Sequence, residues 1–277
     1  MKIFNWKLFY TWELFFSKFL LNRIKNIYNL INEYKSTINY VDSAGPIIDY
    51  LKQHERIESY NEEFCLSFRG YFKFLTAYHA CNTADLQSYY KNGLKCLSIK
   101  EMNDRFINEF GSGKFPELSI DHLKDITEKI DTQGREGKLY VALDDREIIE
   151  YCGHYLIRGS EYLFSLIQNL KYPIDKYKTY LQSKSKPTIF RLHLPLNLVK
   201  DHELWELFDD LLNQWIYRKA HNSPGNKTLN FSLELHEDLN SKYIISHFHP
   251  KYIRDPHNGR RILNTTNGKY IQDKLSK

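Results

Sequence analysis

The chain has 277 residues, 42% of them apolar, with a net charge of +5 and only four cysteines. These values exclude a disordered chain and a disulfide-stapled miniprotein, and they fit one large domain or a domain with an accessory part. Cys65, Cys81, Cys96 and Cys152 form no C-x-x-C pair, so the expected setting is a reducing cytoplasm and no zinc knuckle is indicated.

The opening "MKIFNWKLFYTWELFFSKFLLNRIKNIYNLI" is rich in aromatics, but Lys7, Glu13 and Lys18 interrupt it. A membrane span of ~20 uninterrupted apolar residues is absent, and no signal-peptide cleavage site follows. Phe9, Trp12, Phe16, Phe19, Arg23 and Ile27 recur at helical spacing, which predicts one long amphipathic helix packed on the main body or on a partner. Its mixed charges argue against a membrane surface. Gly45-Pro46 breaks the pattern, and a second helix can start at Pro46. Residues 1–62 read as a helical region, and 63–277 as the main body.

From Phe64 the texture changes. "LTAYHA" (75–80) reads as a strand, followed by a helix capped at Asn82 or Thr83 and ended by Gly93. Residues 99–132 read as helical with a loop at 111–116, and "KLYVALDD" (138–145) as a strand running into a short helix. "CGHYLI" (152–157) reads as a strand and Tyr162 onward as a helix, with Gly159-Ser160-Glu161 as the joint. "SKSKP" (183–187) reads as a turn and "TIFRLHLPL" (188–196) as a strand. Residues 202–220 read as an amphipathic helix, and "TLNFSLEL" (228–235) as an alternating strand. Strands and helices without regular β-α-β spacing imply an α+β fold. "GSGK" at 111–114 lacks the rest of a phosphate loop.

Three stretches offer chemistry. His79 stands near a strand end, where a structural histidine is the commoner role. Ser160 and Glu161 suit a helix start: a cap and a favourable dipole charge explain both, and so does a carboxylate aimed into a cleft from a tight glycine turn. His247, His249, Asp255 and His257 would be the ligands of a metal-dependent nuclease, but the spacing is a weak metal signature and no metal is expected. From Ser241 to Lys277 there are five Lys and three Arg against two Asp, which places the whole positive excess in this segment. It reads as a solvated face or as a site for phosphates or nucleic acid.

"FLTAYHACNTADLQSYYKNGLKCLS" resembles the opening of ADP-ribosyltransferase-fold enzymes: an aromatic-His pair (Tyr78-His79), nearby Thr83, a helix through Tyr89 and Tyr90, then Gly93-Leu94. "KLYVALDDREIIEY", "PTIFRLHLPL" and "TLNFSLELHEDLNSKYI" resemble the later units of that fold. "HYLIRGSEYL" with "SHFHPKYIRDP" resembles bacterial proteins of toxin and phage-defence neighbourhoods. The likeness spans about residues 70–256. It implies a split mixed or antiparallel sheet with an N-terminal helical extension, NAD as substrate, a macromolecular acceptor, and an antitoxin or immunity protein as partner, docked on the aromatic N-terminal helix.

One position departs from the family. Where its catalytic Glu begins the strand before the final turn, this chain has Asn230, with Glu234 four residues later. Glu161 is the candidate replacement. The resemblance then implies His79 and Thr83 orienting ribose or adenosine, Tyr89, Tyr90, Tyr140 or Tyr155 sandwiching nicotinamide, Ser160 beside them, and Arg158 pairing with pyrophosphate. The implied activity is ADP-ribosyl transfer to nucleic acid or protein. The alternatives are NAD hydrolysis and a non-catalytic relative that binds nucleic acid or a partner.

Overall fold

A computed structural model describes residues 2–36, 38, 45–130, 134–170, 173–222, 227–259 and 261–271. β1 (Ile3–Phe4), α1 (Glu13–Leu21), α2 (Ile27–Tyr34), α3 (Gly45–His54) and α4 (Asn61–Tyr71) lead to β2 (Phe74–Thr83). α5 (Leu86–Asn92), α6 (Ile99–Phe110) and α7 (Ile120–Lys129) separate it from β3 (Leu139–Ala142). α8 (Asp145–Glu150), α9 (His154–Arg158), α10 (Glu161–Gln168) and α11 (Ile174–Lys184) precede β4 (Lys186–Pro195) and α12 (Asp201–His221). β5 (Ser232–Leu235), β6 (Ile244–Phe248), β7 (Tyr252–Arg254), β8 (Ile262–Asn264) and β9 (Lys269–Ile271) follow. The fold is mixed α+β.

The larger sheet has the order β5-β3-β2-β4-β6, with β1 parallel to the first residues of β2 at Ile3↔Phe74 and Phe4↔Leu75. β2 and β3 pair antiparallel at Tyr78↔Ala142, and β4 and β6 from Ile189↔Phe248 to Leu192↔Ile244. β7-β8-β9 form a separate antiparallel meander. By internal contacts the chain makes two units, Met1–Ala77 with His193–Leu233, and Tyr78–Leu192 with Glu234–Lys277. This division differs from a cut at residue 62, because the late helix α12 belongs with the N-terminal helices.

The first unit is built on aromatic rings. Phe4, Trp12, Phe16, Phe64, Phe68, Phe72 and Trp215 are fully buried, and Phe208 nearly so. Phe64 lies 4.8 Å from Phe208 and 5.1 Å from Phe68, centroid to centroid. Each such ring contributes about 2–3 kcal/mol of burial. The single long N-terminal helix is replaced by β1, a 3-10 turn at Phe9–Thr11, α1 and α2. Local hydrogen bonds explain the break: the Thr11 hydroxyl accepts from Asn5 N–H, and Asn5 Oδ1 accepts from Lys7 N–H. The aromatic stripe does face inward, with Trp12, Phe16, Phe19 and Ile27 buried. Buried in its own unit, that stripe is not open to an antitoxin. α1 exposes Leu14 instead.

The second unit has two cores. Phe106, Phe110, Leu123, Tyr162, Leu166 and Tyr177 join α6, α7, α10 and α11 in a helical cluster. Tyr78, Ile148, Leu156, Ile157, Ile189 and Ile253 join β2, α8, α9, β4 and β7. The expected strand at 152–157 is the short helix α9. Tertiary contact decides this: a Cβ on Gly153 would lie 2.1 Å from the Arg254 carbonyl oxygen of β7, and Leu156 and Ile157, adjacent in sequence, are both buried. An alternating strand would have buried only one of them.

Smaller differences follow the same pattern. β2 runs on to Thr83, so α5 is capped by Asp85, whose carboxylate accepts from Gln87 and Ser88 N–H. α11 occupies the run before the expected turn at 183–187 and β4 begins at Lys186. β5 spans only Ser232–Leu235. α3 begins at Gly45, beside the expected break at Gly45-Pro46, and residues 39–44 before it lie outside the described residues. Among the described residues no helix is long and apolar enough to cross a membrane.

Candidate functional site

The α9–α10 turn joins the two cores of the second unit, and that junction holds Glu161 in place. Gly159 has φ +79°, a conformation that side chains resist, so the turn requires glycine. Asn82 at the end of β2 fastens the turn by donating from Nδ2 to the Ile157 carbonyl at 2.8 Å. Ser160 occupies the N-cap position, but its side chain makes no capping bond. The capping explanation for Ser160 therefore does not apply.

Glu161 opens α10 with its side chain 49% exposed. Its Oε1 lies 3.3 Å from His154 Nε2, and its charge acts on the nearby Tyr155 phenol. Burial, then the Glu161 charge, raises the Tyr155 phenol well above its ordinary value, so it stays a donor. Burial lowers His154, outweighing Glu161, and the nearby His257 pushes the same way. The His154 and His257 rings stand 4.9 Å apart. Neutral His154 donates from Nε2, and its buried Nδ1 has no partner among the described residues. Among the described residues no Lys or Arg pairs with Glu161, so its charge is met only by neutral donors.

Two further groups border this turn. Glu147 on α8 is 8% exposed and its carboxyl is raised by burial and by Asp144 and Glu150. The Cys152 thiol is raised by burial and by the charges of Glu147 and Glu161, which suppresses the thiolate and makes it a poor nucleophile. The acidic run "DDREIIE" was the only trace of Glu147 in the sequence, and its burial was not readable there.

A second carboxylate centre lies on β5. Glu234 accepts from Tyr140 OH at 2.7 Å and Lys138 Nζ at 2.9 Å through Oε2, and His236 Nε2 lies 2.8 Å from Oε1. Tyr140 and Lys138 hold its carboxyl at about 2. Tyr140 also binds His79, because its carbonyl lies 3.0 Å from His79 Nδ1. A carbonyl only accepts, so Nδ1 carries the proton and Nε2 keeps a lone pair. Desolvation lowers the His79 imidazole and keeps it neutral.

The pleat of β2 separates these groups. Tyr78, Ala80 and Asn82 share the side on which α9 packs, while Cys81 and Thr83 meet Tyr89 on the other. His79 falls in register with Cys81 and Thr83. Glu161 thus meets His154, whereas the Tyr140 phenol meets Glu234 and the Tyr140 carbonyl meets His79. His154, His236 and Lys138 were not singled out from the sequence.

Other candidate groups are engaged internally. Thr83 is buried and its Oγ1 accepts from Asp85 N–H. Tyr89 packs on Phe190 at 4.7 Å, with its phenol raised by burial beside Cys81 and Thr83. Tyr90 OH lies 2.7 Å from His247 Nδ1. Arg158 pairs at 3.4 Å with Asp255, a fully buried carboxylate that also accepts from Tyr270 OH at 2.6 Å and His257 N–H. Arg158 is therefore committed to this pair, unlike the pyrophosphate-binding arginine the sequence implied. Among the described residues no group of three or more His, Cys, Asp or Glu could hold a metal ion. No family model, curated protein or solved structure matches the chain.

Proposed function

We propose that the chain is an NAD-dependent, toxin-like ADP-ribosyltransferase of ADP-ribosyltransferase-like fold. It works in the cytoplasm and modifies a macromolecular acceptor, with RNA favoured over protein. One observation carries this reading: the Glu161 carboxylate stands half-exposed at a glycine-set turn, held by His154 near Tyr155 and neutralised by no cation among the described residues.

The chemistry asks for such a group. As the C1′–N bond breaks, its electron pair leaves with nicotinamide and the ribose becomes cationic, as in glycoside cleavage. A preorganised carboxylate stabilises that charge. The acceptor then bonds to C1′ and loses its proton, for which Glu161 is the base. Tyr155 and Ser160 line the same turn as contacts for the substrate. With water as acceptor, the same steps make an NAD hydrolase. Toxicity of this kind calls for an inhibitory partner, and antiviral defence is the setting the resemblance implies.

A second reading gives the carboxylate role to Glu234, because Tyr140 donates to it. Lys138 weighs against it, since its ammonium offsets the charge the ribose would need.

The test is incubation of the purified chain with labelled NAD and cellular RNA, DNA and protein in parallel. Release of nicotinamide with an ADP-ribose mass increment on RNA is expected. Intact NAD under all conditions overturns the reading in favour of a non-catalytic binding protein.

A further inference from the structure

The β7-β8-β9 meander has two chemically different faces, which its register defines. Tyr252 pairs with Asn264 and Asn264 with Lys269; Ile253 pairs with Leu263 and Leu263 with Tyr270; Arg254 pairs with Ile262 and Ile262 with Ile271. Directly paired residues share a face and successive residues alternate. One face therefore carries Ile253, Leu263 and Tyr270. Ile253 is fully buried, Leu263 packs on the same core, and Tyr270 donates to buried Asp255. The other carries Tyr252 and Ile271, both exposed, with Lys269 and Arg254.

Charge on this outer face is of one sign. Between Ser241 and Ile271 the sequence has a single acid, Asp255, and it is fully buried and engaged by Arg158 and Tyr270. Lys251 places its ammonium 5.3 Å from the ring centroid of exposed Tyr252. An exposed ring flanked by cations on a sheet matches what unpaired bases and their phosphates need: a stacking surface, and charges that follow the backbone. A duplex hides its base faces and offers the ring nothing to stack on.

We infer that the outer face of the meander binds single-stranded nucleic acid, with Tyr252 stacking on a base and Lys251 and Lys269 contacting phosphates. In purpose it rests on the transferase reading, since it would present the acceptor. The binding itself is measured without NAD, so the two fail separately: binding without turnover sinks the transferase alone, and turnover without binding sinks this surface alone.

The experiment is a fluorescence-anisotropy titration of the full chain with labelled oligouridylate, oligothymidylate and a duplex of equal length, across a salt series, with oligoglutamate as competitor. Single strands should bind more tightly than duplex, and oligoglutamate should compete poorly. Tyr252→Ala should weaken single-strand binding roughly tenfold with the salt slope unchanged, and Tyr252→Phe should restore it. Lys251→Ala and Lys269→Ala should each lower the log–log salt slope by about 0.7. The relative strength of the RNA and DNA arms identifies the natural acceptor. Full affinity in Tyr252→Ala, equal binding of duplex, or equal competition by oligoglutamate would overturn the inference.

Discussion

Glu161 and Glu234 are both partly exposed carboxylates of the second unit, yet they are held in opposite ways. Glu234 is enclosed by Tyr140, Lys138 and His236, and its carboxyl lies at about 2. Among the described residues Glu161 meets a neutral histidine, near a tyrosine, on a turn between two cores. A carboxylate paired with a lysine ammonium is a fastening, because its field is spent on its partner. One flanked by neutral donors keeps its field for an approaching positive charge.

The largest expected effect separates the two directly. Glu161→Gln should lower NAD turnover by about 10²–10³-fold, while urea unfolding shifts by about 1 kcal/mol or less. Glu234→Gln should lower turnover far less. If Glu234→Gln is the more damaging in the same nicotinamide-release assay, the roles are exchanged.

Next in size is a stability effect beside the Glu161 turn. Arg158→Ala leaves the Asp255 carboxylate buried without its cation and should destabilise the chain by about 3 kcal/mol in urea melts. A change in the KM for NAD without loss of stability would instead return Arg158 to the pyrophosphate role. His79→Ala should raise the KM for NAD by roughly tenfold if neutral Nε2 accepts a ribose hydroxyl, with kcat changed less. An unchanged KM would leave His79 as a partner of the Tyr140 carbonyl only.

Glu234→Gln should also lower stability at neutral pH by about 1 kcal/mol, a modest value because the side chain is partly solvated. The sign follows from the depressed carboxyl. Its contribution is complete above pH 4.5 and is lost as the pH falls toward about 2, so wild-type and variant stabilities should converge across that window. Parallel acid melts would show that Glu234 is not fastened as described. The smallest effect belongs to Ser160→Ala: its side chain makes no capping bond, so stability should stay within about 0.5 kcal/mol in the same urea melts.

Much of the fold was legible along the chain. Polar helical texture located α6 and α7, an amphipathic pattern located α12, short aromatic and apolar runs located β2 and β3, and alternation located β4. The errors gather where long-range contact outweighs local pattern. The run 152–157 has too few residues for period to separate strand from helix, and the fit of Gly153 against β7 decided it. The N-terminal stripe was read as one helix because burial has the same period whether or not the helix is broken. Glu161 was found from the Gly-Ser-Glu turn, but His154 was hidden seven residues upstream in what looked like a strand.

The sequence by itself determined the α+β character, the inward aromatic stripe, the glycine at position 159 and the basic C-terminal segment, since these depend on local dihedral preference, hydrophobic period and charge count. Only the tertiary structure decided that α12 joins the N-terminal helices, that His79 is bound to the Tyr140 carbonyl, and that Arg158 is bound to Asp255. Those outcomes depend on which side of a pleat a residue faces and which distant group neutralises it, and partners far apart in the chain leave no mark in its local pattern.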